Sequence, residues 1–146
     1  MNLLFSSSKD GDSKDSVHKK IDGKENVLLF VETQKGRKFG GYTKIGFDSS
    51  NEHKNDDEAF LFSFDKLKTY DNINKGGWAI FCNTKELPWF YSKQGNYNIR
   101  IDNNFFSKVG YTTKKRWYLS NNWGLWVKWR RRTIQCERIR IFSNNI

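Results

Sequence analysis

Short runs of β-forming residues, several of them alternating with period two, constrain this chain more than any other feature of its sequence. In "YNIRI", Tyr97, Ile99 and Ile101 fall on one side and Asn98 and Arg100 on the other. In "CERIRIF", Ile139 and Ile141 oppose Arg138 and Arg140. Successive side chains of a strand point to opposite faces, so each run reads as a half-buried strand. "NVLLFVE" is β-rich and almost wholly apolar, and reads as a strand buried on both faces. "TQKGRK" is a turn, through which "KFGGYTKIGF" pairs back to form a hairpin. Gly40 and Gly41 within it mark a bulge or a close backbone approach. "AFLFSF" puts Phe60, Phe62 and Phe64 on one face, "GWAIFC" adds another strand, and "SSNEHKNDDE" reads as a polar surface loop.

One short helix stands out in "DSKDSVHKKI". Asp12 or Ser13 caps it, Asp15 lies in its first turn, and Lys19 and Lys20 lie in its last. Val17 and Ile21, four apart, face the core, and Gly23 ends the helix. Few helical segments and no βαβ spacing give an α+β fold of mostly antiparallel strands, a two-sheet β-sandwich with a few peripheral helices. Pro88 is the one proline, and no linker or repeat interrupts the 146 residues, so the chain is expected to form one domain over residues 1–146. Aromatic residues make up 16%, which predicts a core built more from rings than from aliphatics. No 18-residue apolar run is present, and "MNLLFSSSKD" lacks the pattern of a signal peptide. Cys82 and Cys136 are far apart and read as buried thiols of a reducing compartment, with a disulfide as the alternative, so an intracellular location, cytoplasmic or organelle-associated, is expected.

The net charge of +10 is not spread evenly. Residues 1–73 carry 12 Lys/Arg against 13 Asp/Glu, whereas residues 74–146 carry 14 against 3. Such a division predicts a strongly positive face if the halves occupy different sides of the fold. Within it, residues 114–132 hold four tryptophans and seven cations. Read as a strand, Trp123, Leu125, Val127 and Trp129 share a core face, and Trp126 shares the other with Lys128, Arg130 and Arg132. The partner-binding candidates are Lys114, Lys115, Arg116, Trp126, Lys128, Arg130, Arg131, Arg132, Arg138 and Arg140. Their cations suit carboxylates or phosphates, and an exposed Trp126 suits a partner's apolar patch or a base. Two partner classes follow: an acidic protein surface within a larger assembly, and RNA or DNA, the latter without any RNP, KH or OB signature.

The first half also carries an ordered series of motifs. "LLFSSSKDGDSKDSVHKKIDGK", "GRKFGGYTKIGF" and "DDEAFLFSFDKLKTYD" follow one another over residues 3–71. The series resembles the TLDc domain family, with residues 3–5, 9–11, His18, 22–23, 39–43 and 59–63 in the family's order. "GNYNIRI" and "CERIRIF" resemble its later strands less closely, with Arg138 and Arg140 where acidic residues are common. The segment usual upstream of the family's Leu-Leu strand has no counterpart, so the domain is expected to lack it. The resemblance implies two packed antiparallel sheets and a non-catalytic, intracellular interaction domain. It also implies association with the vacuolar proton-pumping ATPase or another large complex, and a link to protection against oxidative stress.

Other chemistry finds little support in the residues. His18 reads as structural beside Asp15, and His53 as loop surface. Asp10, Asp12 and Asp15 lack the later glycine and glutamate of a calcium loop and read as turn and cap residues. "KFGGY" has no phosphate-loop order, no G-x-S-x-G occurs, and Cys82 lies in an apolar strand that suits an inert thiol. The chain therefore reads as no enzyme, with no cofactor and no metal. An oxidative-stress protection activity stands as a further alternative, and would need an activated thiolate or a metal.

Overall fold

The computed structural model describes residues 1–71, 77–87, 89–93, 96–99 and 136–144. In chain order the elements are β1 (Asn2–Ser6), α1 (Ser7–Asp10), α2 (Lys14–Ile21), β2 (Val27–Thr33), β3 (Lys38–Thr43) and β4 (His53–Asn55). They continue with β5 (Phe60–Ser63), β6 (Lys68–Asp71), β7 (Trp78–Phe81), β8 (Trp89–Lys93), β9 (Asn96–Ile99) and β10 (Cys136–Ser143). The strands pair antiparallel in two sheets, ordered β1-β10-β2-β3-β5-β6 and β4-β7-β8-β9. The expected α+β sandwich is the observed architecture. No helix among the described residues is long and apolar enough to cross a membrane.

Helix α2 forms as its sequence dictates. Ser13, of the two candidate caps, accepts the Ser16 N–H through its side chain, and Val17 and Ile21 are fully buried. The chain leaves through Asp22, whose N–H donates to the His18 carbonyl, and Gly23, which takes a φ of +76°. The β2–β3 hairpin runs from Val27↔Thr43 to Glu32↔Lys38 without a break. Strand β2 is not buried on both faces as expected: Val27, Leu29, Val31 and Thr33 are buried, whereas Leu28, Phe30 and Glu32 are half-buried. The reason is the layering, because only one face of the larger sheet meets the smaller one.

Gly40 and Gly41 decide how close the neighbours come. Both pairings of β3 keep a continuous register through them, so there is no bulge. A Cβ on Gly40 would lie 1.9 Å from the Leu29 carbonyl oxygen and 2.4 Å from the Phe62 ring. A Cβ on Gly41 would lie 2.9 Å from the ring of Phe90, which belongs to β8 in the other sheet. The two glycines thus admit Phe62 on one side and Phe90 on the other.

The core among the described residues is mainly aliphatic, contrary to the expectation from composition. Val17, Ile21, Leu29, Val31, Leu61, Ile80, Leu87, Ile99, Ile139 and Ile141 join Phe5, Phe47 and Phe90 there. Many rings lie instead on outer faces: Phe60, Phe62 and Phe64 share a face as expected, but Leu61 opposite them is the core residue. In β10, Ile139 and Ile141 point inward and Arg138 and Arg140 outward, as the alternation predicts. Ile99 is buried in β9, whereas Ile101 and the strand expected over residues 123–132 lie outside the described residues. The polar segment 49–58 is not all loop, since β4 pairs there with β7. An edge strand of three polar residues shows no alternation, which is why sequence alone missed it. Asp56 follows it, buried, and its carboxylate accepts from the Thr43 hydroxyl and the Lys44 N–H, both at 2.7 Å.

Urea unfolding should separate two kinds of glycine. Gly40→Ala drives a methyl into backbone and ring and is expected to cost about 3 kcal/mol. Gly36→Ala, at a φ of +74° in open space, is expected to cost only ~1 kcal/mol of left-handed strain.

Candidate functional site

Of the candidate partner-binding residues, Lys114, Lys115, Arg116, Trp126, Lys128, Arg130, Arg131 and Arg132 lie outside the described residues. Arg138 and Arg140 are placed by β10 on the outer face of the six-stranded sheet, because Ile139 and Ile141 take the inner one. The Arg138 guanidinium stands 3.7 Å from the Glu32 carboxylate across the strand pair, both partly exposed. At that distance the pair is loose and adds little to stability. Arg140 lies between Ser6 of β1 and Phe30 of β2 in the register, and no ion pair to it forms among the described residues.

The same face carries rings that the sequence analysis did not assign to a surface. Phe30, Phe62 and Phe64 form a triangle with centroid separations of 6.4, 5.6 and 5.6 Å. Tyr42 stacks on Phe60 at 5.1 Å beside them. Arg140 is the cross-strand neighbour of Phe30, so a cation and a ring cluster adjoin on one surface. The period-two signal in "AFLFSF" was present, but it could not say which row of the strand faced out.

The histidines are both ordered by neighbours. His18 Nε2 lies 2.8 Å from the Glu86 carbonyl oxygen, and its Nδ1 lies 3.1 Å from the Asp22 carboxylate and 3.1 Å from the Ser49 hydroxyl. The Ser49 hydroxyl also donates to Asp22. His18 is therefore structural, but through Asp22 rather than Asp15. Serine, histidine and carboxylate meet here without a relay, since Nε2 is committed to a backbone carbonyl and the hydroxyl faces Nδ1. The trio clamps α2 to the segments at residues 49 and 86. Asp10 accepts from the Ser6 N–H and from Lys20, each at 2.8 Å, and Lys20 holds its carboxyl below the usual range. Asp15 pairs with Lys14 at 2.7 Å.

His53 is not a loop residue. It sits on β4 with its ring stacked at 4.1 Å on Trp78 and 4.4 Å on Phe81, and the Tyr91 hydroxyl lies 2.9 Å from its Nδ1. The residue stays exposed, as expected, and partial desolvation of the ring against these neighbours lowers its pKa below the ordinary 6.5. Cys82 is a buried free thiol that burial pushes up to about 11, so it stays protonated at neutral pH. Asp48 nearby is bound by Lys54 at 2.6 Å, which holds its carboxyl well below the usual carboxylate range.

With this geometry in place, a family model, the TLDc domain, matches residues 1–127. No curated protein matches the chain.

Thermal melts across pH should show two acid-side losses. His53 has a folded pKa below its unfolded value, so its contribution is full above about pH 6.5 and is lost as pH falls through the folded pKa. The Asp48 contribution is full above about pH 3.8 and disappears only at more acid pH. The first loss should be absent from His53→Gln and the second from Asp48→Asn. His18→Ala strips the clamp and is expected to cost about 2–3 kcal/mol in urea unfolding.

Proposed function

The chain belongs to the TLDc domain family, and on that premise we propose that it works as a non-catalytic protein-interaction domain. It docks through its basic half onto an acidic protein surface within a larger assembly. The charge division carries this reading: 14 Lys/Arg against 3 Asp/Glu in residues 74–146, beside a nearly neutral first half. Burying that many cations against a neutral surface is unfavourable, and a carboxylate-rich one satisfies them. Arg140, outward-facing beside the ring triangle and without an ion pair among the described residues, supports it from the described part of the fold. A vacuolar-type proton-pumping ATPase is the family-led candidate for the assembly.

The non-catalytic part of the proposal is supported by chemistry at two places. The Cys82 thiol is buried and raised, the opposite of an activated nucleophile. The Ser49 hydroxyl donates to Asp22, and both of these groups face the same His18 nitrogen, Nδ1, which is not the order of a serine–histidine–carboxylate relay. Protection against oxidative stress, on this reading, comes from the assembly joined rather than from turnover by this chain.

Affinity isolation from native lysate tests the docking. Arg130→Glu with Arg132→Glu should abolish co-purification of the acidic partner while circular dichroism stays native. The wild-type complex should survive nuclease treatment, since nucleic acid competes for the same charge. Retained binding by the variant contradicts the proposal.

A further inference from the structure

Two hairpin turns meet at one end of the six-stranded sheet. Residues 34–37 close β2 onto β3, and residues 64–67 close β5 onto β6. The Phe64 N–H donates to the Lys38 carbonyl at 3.0 Å, and the Lys38 N–H donates to the Asp65 carboxylate at 3.3 Å. The tips are thereby held side by side. Over residues 34–38 and 64–68 they expose five cations, Lys35, Arg37, Lys38, Lys66 and Lys68, against the one acid Asp65. Two large apolar side chains stand among them, Phe64 at 54% exposure and Leu67 at 88%.

Leu67 has a backbone that argues for use. Its N–H donates to the Phe64 carbonyl at 3.2 Å, closing a tight turn, and its φ is +49°. That left-handed position is normally filled by glycine or asparagine, and a branched side chain there is strained. Among the described residues its packing does not repay the strain, because the side chain is the most exposed of the large hydrophobics there. Phe64 beside it is braced edge-on against Phe30 and Phe62, so the tip presents its apolar surface from a rigid base.

The charge says what such a tip meets. A second copy of this chain would bring the same five cations and a further +10 of net charge, and would be repelled. An apolar point that projects from a ring of cations matches the section through an anionic lipid leaflet. There the apolar group enters the boundary of the acyl chains while lysine and arginine heads stay at the phosphates. We infer that this end of the sheet docks onto an anionic membrane surface, with Leu67 entering between headgroups and Lys35, Arg37, Lys38, Lys66 and Lys68 facing them. These residues all belong to the first half of the sequence.

Co-sedimentation of the full chain with vesicles tests it, using phosphatidylcholine alone and phosphatidylcholine with about a third phosphatidylserine. The wild type should bind the anionic vesicles and not the neutral ones. Leu67→Asn should weaken binding about tenfold, and Lys66→Ala with Lys68→Ala about 25-fold, at roughly fivefold per cation. Asparagine accepts the left-handed backbone, so Leu67→Asn should melt at or above the wild-type temperature, which separates lost contact from lost fold. In the Arg130→Glu, Arg132→Glu background the Leu67 effect should persist. Absence of anionic-vesicle binding, equal binding to neutral vesicles, or indifference to Leu67→Asn would overturn the inference. So would a Leu67-dependent complex with an acidic protein in a chain that ignores vesicles.

Discussion

The six-stranded sheet can pack as one layer of a sandwich because β3 carries no side chains at residues 40 and 41. Where β3 passes between β2 and β5, Gly40 lets the Phe62 ring lie almost on the backbone, and Gly41 lets Phe90 reach in from the facing sheet. A strand interior is ordinarily a poor place for glycine, since it loses both entropy and packing. Here that cost is offset by two phenyl rings that seat on either side of one strand. Everything stacked outward from this seam follows: the aliphatic rows of β2 and β10 inside, the triangle of Phe30, Phe62 and Phe64 outside.

Polar contacts then fix what the seam cannot. His18 joins the helix to two distant segments through both ring nitrogens, and Asp56 satisfies a hydroxyl and a backbone amide next to the end of β3. Both groups are engaged in tying segments of the fold together. Many titratable side chains of the described fold are occupied in holding it, whereas Arg140 faces outward with no ion pair among the described residues. That contrast is what directs the functional reading toward surfaces and charge.

Much of this was legible in the sequence, for reasons that differ by element. Helix α2 could be placed because cap, charges and the Val17–Ile21 spacing agree, and the β2–β3 hairpin because its turn lies between two strong strands. Strand β10 was legible because Ile139 and Ile141 alternate with arginines. The failures share one cause. Period two tells which residues share a face but not which face is inside, so composition suggested a core of rings when the inner rows were Leu61, Val31 and Ile139. His53 was hidden likewise, since an edge strand of polar residues gains its order from Trp78 and Phe81 far along the chain. The basic tips were dispersed in sequence as "QKGRK" and "FDKLK", and only pairing across β3 and β5 makes them one surface.

The packing of one sheet on the other rests on the contact between Gly41 and Phe90, and a double-mutant cycle measures it directly. Gly41→Ala, Phe90→Leu and the two combined would be compared by equilibrium unfolding in urea. If the seam is as described, the smaller Leu side chain makes room for the new methyl, and the pair costs less than the sum of its parts by about 1 kcal/mol or more. Costs that add to within about 0.5 kcal/mol would mean that the two residues do not meet, and the two-layer arrangement built on them would be contradicted.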